Sequence, residues 1–384
     1  MSAAESGWMI ADRHINLGAE NDPVSVAALV SLFRDHPSRD LIANLTTRVE
    51  VLEACGKTFP ITLNDRTERG NCYICRPSAG YIDYGLDETR HFVSNPALRA
   101  ALRGLIRACG PVLAASGLDH QVQVNNWLFS TNPVPALTLS DATSIRDTLV
   151  GRYPDRAIVL RSLNRLADRD TISALGQAGF ILLPARQVYI FADRSSAPKL
   201  SRNMKWDRKL MRATPHAAVA NEAFGPEDFA RAEALYGMLY LDKYTPLNPQ
   251  YKALCLRELQ RRGIVEFAGF RDRETGILTA VTGLFRSGTT LTQPIVGYDT
   301  SRPQEEGLYR MLMALSQDRA SAEGLFFNMS AGAAEFKRLR GAEPVIEYTA
   351  VYVAHLGRRE QAAVRVMERV LTGVGVPLLE RFGL

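Results

Sequence analysis

Long hydrophobic runs are missing from this chain. Nowhere do about 18 apolar residues follow one another without a charge, so no membrane-spanning helix is expected. The first residues, Met1 to Asn16, carry Glu5, Asp12, Arg13 and His14 where a basic start and an apolar run would mark a secretory leader. The expectation is a soluble, cytoplasmic protein. Cysteine is scarce: Cys55, Cys72, Cys75, Cys109 and Cys255 are five, odd in number and scattered, which argues against a disulfide framework and for free thiols in a reduced compartment. Cys72 and Cys75 do form a C-x-x-C, but within Asn71–Arg76, which reads as a strand. No second pair or nearby histidine completes a tetrahedral zinc site, and no metal is expected. The six histidines show no metal-ligand spacing, and G-x-S-x-G, Walker A and H-E-x-x-H motifs are all absent, which leaves zinc hydrolases and P-loop nucleotidases without support. The net charge of +5 is too dilute over 384 residues for a dedicated nucleic-acid binder.

What is present resembles an ordinary globular composition, 46% hydrophobic and 23% charged. A chain of 384 residues exceeds what one core organises, since cores stop growing near ~250–300 residues, so two domains are expected. Asp22-Pro23 starts a helix through Phe33. Val49–Leu63 and Asn71–Tyr84 read as the two strands of a hairpin across the polar segment 64–70. Asn95–Ser116 is a helix with apolar residues at 3–4 spacing, closed by Gly117. A helix from Ser140 to Tyr153, a strand at Ala157–Leu163, a helix at Asp170–Gln177 and a strand at Phe180–Phe191 follow. This alternation predicts a mixed α/β architecture.

From Asp193 to Thr214 seven cations (Arg194, Lys199, Arg202, Lys205, Arg208, Lys209, Arg212) surround a single acid, Asp207. The segment reads as a basic connector helix, either a solvated linker or a phosphate-binding surface. The second half repeats the grammar of the first. Helices at Pro226–Tyr240 and Pro249–Arg262 precede strands at Ile264–Arg271, Ile277–Phe285 and Thr289–Val296. Then come helix Glu306–Ala322, strand Gly324–Met329, helix Ala333–Arg340 and strand Val345–Val353. A duplicated fold is the expectation: an N-terminal unit over residues 1–193, a connector over 194–213 and a C-terminal unit over 214–384, each on its own mixed sheet flanked by helices.

Two stretches of the second half carry a resemblance. Strand Thr292–Val296 leads through Gly297–Pro303 into Gln304-Glu-Glu-Gly-Leu-Tyr309, similar to the Gln/Arg-x-x-Gly-x-Gly/Ala loop of the GNAT acyltransferase superfamily. Tyr309 stands where that motif has Gly or Ala. Asn328-Met-Ser-Ala-Gly-Ala-Ala-Glu-Phe-Lys-Arg-Leu-Arg-Gly341 resembles the end of the fifth GNAT strand with its following helix. Strand Ala157–Asn164, helix Ile172–Gln177 and strand Ile181–Ile190 are a worn echo in the first half. The likeness is to the two-domain branch that includes Fem-type peptidyl transferases.

The resemblance implies an acyltransferase moving an acyl group from acyl-CoA, or from pantetheine on an acyl-carrier protein, to a small polar amine or hydroxyl. A Fem-like use of aminoacyl-tRNA would account for the basic connector, and a GNAT-fold binding protein without catalysis would account for Glu305, Glu306 and Tyr309. Coenzyme A would meet Gln304, Gly307, Leu308 and Tyr309 at a helix N-terminus. The implied donor strands are Thr289–Val296 and Gly324–Met329, splayed apart. Polar residues at their ends, Tyr298, Asp299, Asn328 and Ser330, are the candidate catalytic groups. Asp299 reads either as a base for the acceptor ammonium or as a cap of its loop. The tyrosine acid usual on the following helix is replaced by Phe336 and Lys337, and Lys337 is a candidate substrate contact. Tyr240, Asp242, Lys243 and Tyr244, on the loop to Pro249, form either an acceptor pocket or a capped helix–helix turn.

Overall fold

A computed structural model describes residues 22–65, 71–195 and 199–383. The leader reading at Met1–Asn16 and most of the polar segment 64–70 lie outside them. In the first half, helices α1 (Pro23–Asp35) and α2 (Ser38–Leu41) precede strands β1 (Arg48–Ala54) and β2 (Lys57–Asn64). Helices α3 (Gly85–Phe92) and α4 (Pro96–Ser116) follow, then β3 (Gln121–Val124), α5 (Leu139–Arg152), β4 (Ala157–Asn164), α6 (Arg169–Gln177) and β5 (Ile181–Phe191). The connector is α7 (Arg202–Ala213). The second half runs β6 (His216–Val219), α8 (Pro226–Tyr236), α9 (Ala253–Arg261), β7 (Glu266–Asp272), β8 (Leu278–Ser287) and β9 (Thr290–Tyr298). It ends with α10 (Leu308–Ala322), β10 (Phe326–Asn328), α11 (Ala334–Arg338), β11 (Ala342–Tyr352), α12 (Arg358–Val370) and α13 (Val376–Phe382).

Local chemistry explains the boundaries. The Asp22 side chain accepts from Val24 N–H ahead of Pro23, and Asn95 caps α4 before Pro96. Gly117 ends α4 in the left-handed region at φ 68°. Thr138 and Asp141 form a capping box at α5, two residues earlier than the sequence suggests.

Three expectations are corrected. The first hairpin lies inside Val49–Leu63, because Cys55 and Gly56 adopt positive φ and turn β1 back on β2. Asn71–Tyr84 is not a strand. Its first residues form a turn and the rest a helical stretch, with a π-turn at Ala79–Tyr84 leading into α3. Of the Tyr and Ile residues that suggested a strand, Tyr73 and Ile74 sit in the turn and Tyr81, Ile82 and Tyr84 are half-buried in the helical stretch. Third, the halves do not build separate sheets: one mixed sheet of eleven strands runs β1-β2-β3-β4-β11-β5-β10-β9-β8-β7-β6.

That order is a reciprocal exchange. Each half pairs two strands in parallel, β3 with β4 and β9 with β10. The strand that follows each pair then crosses over: β5 joins β10, β11 joins β4, and the two meet at the centre. A strand buried on both edges leaves no unpaired backbone between the halves, which is why the connector does not break the sheet. The core is shared too, since Val26, Leu29 and Leu32 of α1 and Trp127 pack with Phe229, Leu256 and Ile295 of the second half.

The connector α7 is amphipathic. Arg202, Lys205, Lys209 and Arg212 are exposed, while Met204, Asp207 and Met211 are buried. Asp207, 1% exposed, accepts from Arg340 Nε (2.5 Å) and Nη2 (3.0 Å) and from Arg310 Nε (2.7 Å). It ties α7 to α10 and to the chain after α11. Asp207→Asn should therefore cost about 3–5 kcal/mol in urea unfolding, since it leaves the buried Arg340 charge unanswered. A loss under about 1 kcal/mol would show the pair to be replaceable.

Candidate active site

β9 and β10 run parallel only where Thr290, Leu291 and Thr292 oppose Phe326, Phe327 and Asn328. Beyond that β10 stops, while β9 continues from Gln293 to Tyr298 with no partner on that edge among the described residues. The chain is turned away by Ser330 (φ 60°), Gly332 (φ 77°) and Ala333 (φ 49°). Two of these are non-glycine residues in the left-handed region, a sparsely populated conformation that persists only where the surroundings impose it. Ser330 N–H donates to Asn328 Oδ1 (2.9 Å), and Ser330 O accepts from Tyr189 N–H of β5 (3.2 Å). A cavity of ≈ 420 Å³ opens on this gap.

Most of the residues singled out in the sequence meet at this one cavity. Tyr298, Asp299 and Ser330 line it beside the start of α10, with Gln304, Gly307, Leu308 and Tyr309. Tyr240, Lys243, Tyr244 and Lys337 complete that set. Two do not reach it. Asn328 is buried and bonded to the Ser330 amide, and Asp242 is exposed on the π-turn Gly237–Asp242. Tyr240 of this wall stacks on Tyr236 behind it at 4.8 Å and meets Tyr244 in a tilted contact at 6.2 Å between centroids. The same loop is closed onto the first half by Thr245 Oγ1, which donates to Asp87 (2.7 Å).

Asp299 is fully engaged. It accepts from Arg231 Nη2 (2.7 Å), Ser301 Oγ (2.5 Å) and Ser301 N–H (3.1 Å). Burial alone would raise its pKa, but the bonds from Ser301 and Arg231 outweigh it and hold the carboxyl below the usual range. This is the geometry of a loop cap, and it makes for a weak base. The Glu306 carboxylate is bonded to His216 Nε2 (2.9 Å) and Arg302 Nη1 (3.2 Å), so the Arg302 charge offsets it beside the start of α10. The first amides of α10, from Leu308 on, have no intrahelical acceptor, and Arg302 and Arg310 stand beside them. A phosphate group fits that corner. Gly307 sits at φ 64°, a conformation that favours glycine, and a Cβ there would also displace the Leu210 side chain of α7, whose Cδ2 would lie 2.4 Å away.

The deepest groups of the site come partly from the first half. Lys337, 2% exposed, donates from Nζ to Ala331 O (2.7 Å) and Ser330 O (3.1 Å). An ammonium has three donors, and the third has no hydrogen-bond acceptor among the described residues, with Nζ 5.5 Å from the Tyr189 ring centroid. Burial, reinforced by the Arg186 charge, pushes the Lys337 pKa down to about 7. Glu88 of α3 stands on the same wall, where burial, partly opposed by Arg186, pushes it up to about 7. Arg186 itself is paired with Glu347 (2.9 Å) across β5 and β11. Glu88 was hidden by the mistaken strand ending at Tyr84. Arg186 and Glu347 did carry a signal: each is a lone charge inside an apolar strand, and such charges need partners.

No family model matches the sequence, and no curated protein matches it in sequence. Solved structures do match. FemX aligns over 90% of this chain and 97% of its own, with a TM-score of 0.50 and 8% identity. L-PGS from Bacillus licheniformis aligns over 91% and 98% with a TM-score of 0.48 and 10% identity. The tandem GNAT protein from the clavulanic acid biosynthesis pathway covers 60% of this chain and 75% of its own, at a TM-score of 0.34 and 12% identity. The chain thus shares its overall fold with FemX, and an identity this low speaks of fold alone.

The depressed Lys337 pKa has a measurable consequence. Between its ordinary value of 10.5 and about 7 the unfolded chain binds a proton that the folded one does not. Its contribution to stability therefore grows as pH rises through that window and is lost as pH falls. In urea unfolding from about pH 7 to about pH 9, the parent should gain stability relative to Lys337→Met. Parallel pH dependences would place the Lys337 pKa at its ordinary value.

Proposed function

We propose that this protein is an acyltransferase, moving an acyl or aminoacyl group from a phosphate-bearing carrier to a small polar amine or hydroxyl at the 420 Å³ cavity. The observation that carries the proposal is the unpaired stretch of β9 next to the buried Lys337, which keeps one donor free. Backbone groups of Gln293–Tyr298 can hold an extended donor arm, as a paired strand could not. The carrier phosphates would lie at the start of α10, among Arg302, Arg310 and the amides of Leu308 and Tyr309.

In the reaction the acceptor amine must lose a proton and attack the acyl carbon, and its lone pair forms the new C–N bond. Glu88 is suited to take the proton, being ionised in about half the molecules near pH 7. The carbonyl π electrons move to oxygen, and the Lys337 ammonium donates to that oxyanion. Collapse breaks the bond to the carrier's sulfur or oxygen, which leaves with the proton that Glu88 took from the amine, and Glu88 returns to its starting state. Asp299 acts in this scheme by fixing the loop between β9 and α10.

Two carriers share this chemistry. Acyl-CoA, or pantetheine on an acyl-carrier protein, needs only the α10 corner. The exposed stripe of Arg202, Lys205, Lys209 and Arg212 on α7, whose Leu210 abuts Gly307 at the cavity, favours the longer polyanion of an aminoacyl-tRNA. The test incubates the purified chain and an amine panel with acyl-CoAs, reading thiol release, and separately with charged tRNA, reading transfer of the labelled amino acid. Whichever donor works, Lys337→Met should lower kcat ~10²–10³-fold and Glu88→Gln ~10²–10⁴-fold, with donor affinity changed only a few-fold. Donor binding without turnover in the parent would instead indicate a GNAT-fold binding protein.

A further inference from the structure

Charges on the inner side of α7 are answered. Arg208 pairs with Asp318, and Arg310 and Arg340 both meet Asp207. The outward charges are not: Arg202, Lys205, Lys209 and Arg212 are exposed and have no acidic partner among the described residues. Trp206 stands in their midst. It is 49% exposed, and it and Tyr244 are the large aromatic side chains left exposed among the described residues. Tyr244 lines the active-site cavity, whereas Trp206 has no part in it. The indole meets the Arg202 guanidinium, one turn earlier, at 4.3 Å from its ring centroid, and no other aromatic ring among the described residues packs against it.

The position of this indole follows from the helix. Side chains four residues apart share a face, so Arg202, Trp206 and Leu210 form one ridge along α7. The ridge ends at the active site, because Leu210 packs on Gly307, which lines the cavity at the start of α10. Trp206 lies one turn beyond Leu210, about 6 Å along the helix axis. Asp207, the next residue, holds Arg310 Nε of the phosphate corner at 2.7 Å, so α7 is tied down where the two meet. The core-facing positions are already taken by Met204, Asp207 and Met211. The indole is thus an outward aromatic surface on an anchored helix, ringed by unpaired cations, beside the corner suited to a phosphate.

We propose that Trp206 is a stacking platform for the base of an adenosine nucleotide. A ligand suited to this face combines a flat π-system with negative charge close by, which is the chemistry of a nucleotide. The base stacks on the open part of the indole, and Lys205 and Lys209, its neighbours on the helix, meet the phosphates. An acidic protein segment would use the cations and leave the indole idle. A membrane is disfavoured because the other exposed residues of α7 are cations and Ala213, with no aliphatic side chain to enter a bilayer. Coenzyme A carries a phosphorylated adenosine beyond its pyrophosphate, and a tRNA ends in an unpaired adenosine, so one platform serves either. That the adenosine belongs to an acyl carrier rests on the acyltransferase reading; the binding itself does not.

The test titrates the full chain with coenzyme A, with an ACCA-ended RNA oligonucleotide and with inorganic pyrophosphate, by calorimetry and tryptophan fluorescence. At least one adenosine ligand should bind and quench the parent's fluorescence, and the tighter of the two identifies the source of the adenosine. Trp206→Leu should weaken that ligand ~5–100-fold, the range for removing one stacking aromatic, and abolish the quenching. Trp206→Phe should weaken it only a few-fold, and pyrophosphate should bind both variants as it binds the parent. Because the side chain is exposed, both variants should keep the parent's melting temperature. Three results would each overturn the proposal: no binding of either adenosine ligand, unchanged affinity in Trp206→Leu, or an equal loss for pyrophosphate. Loss of phosphatidylglycerol-vesicle binding in Trp206→Leu, with adenosine ligands unaffected, would overturn it in favour of a membrane. Binding is read here without turnover. Failure with transfer intact therefore leaves the transferase reading standing, and inactivity toward all donors leaves this one standing.

Discussion

The ion pair between Arg186 and Glu347 is the constraint around which the molecule is arranged. The two residues oppose each other in the register of β5 and β11, the strands that the halves exchange. Glu347 is 2% exposed, and Arg186 also donates to Ser130 O and Thr131 Oγ1, both at 2.9 Å. Either charge alone in that position would carry a desolvation penalty of several kcal/mol. Slipping the pairing by one residue would put the two charges on opposite faces of the sheet. The pair therefore fixes the register at the seam between halves. It also lines the candidate active-site cavity, and its guanidinium is the charge that helps depress Lys337 and restrains Glu88.

The exchange of strands gives the two halves equivalent gaps, yet only one is open. In the second half the space beside β9 is a cavity bordered by aromatic rings, with Tyr298, Tyr309 and Phe336 in sequence at 6.1 and 5.0 Å. In the first half the chain that follows β3 fills its own gap. Asn132 N–H donates to Ser162 Oγ of β4, Asn126 Nδ2 to Thr62 Oγ1 of β2, and Trp127 joins the shared core. Backbone groups that a ligand would need are thus satisfied internally, and the first half is left to supply walls.

Most elements of the fold were legible because they obey local rules. The 3–4 spacing of Leu98, Leu102, Leu105 and Ile106 located α4, and the turn at Arg286–Gly288 located the β8–β9 hairpin. What sequence could not reveal was non-local. The hairpin at Cys55–Gly56 lacks Asn-Gly or Asp-Gly chemistry, so a 15-residue apolar run read as one strand. The four-residue β3 and β6 are too short for a periodic signal. The crossing of β5 and β11 is settled by pairing between residues about 160 apart, such as Arg186 and Glu347. The site was legible to the same extent. The loop after β9 and the Phe336-Lys337 dipeptide lie on local motifs, whereas Glu88 and Arg186 join them only through the folded sheet.

These non-local partners change what the site can do. A surface lysine and a surface glutamate would both be charged near neutrality and would hold each other as a fixed pair. Burial instead moves each toward its neutral form, to about 7 in both cases, while Arg186 pushes Lys337 further and pulls Glu88 back. Near pH 7 the cavity therefore holds protons that move at little cost, rather than fixed charges. An acceptor entering as an ammonium adds positive charge, which favours ionised Glu88 and disfavours protonated Lys337. A developing oxyanion does the reverse for Lys337 and favours its ammonium. In the proposed transfer the charge of the ligand would set the order of events: proton removal promoted by the acceptor's arrival, and oxyanion donation by the attack that follows. Ligand charge can drive such a sequence only where the resting pKa values lie close to the working pH. That condition is met by desolvation at the seam between the halves.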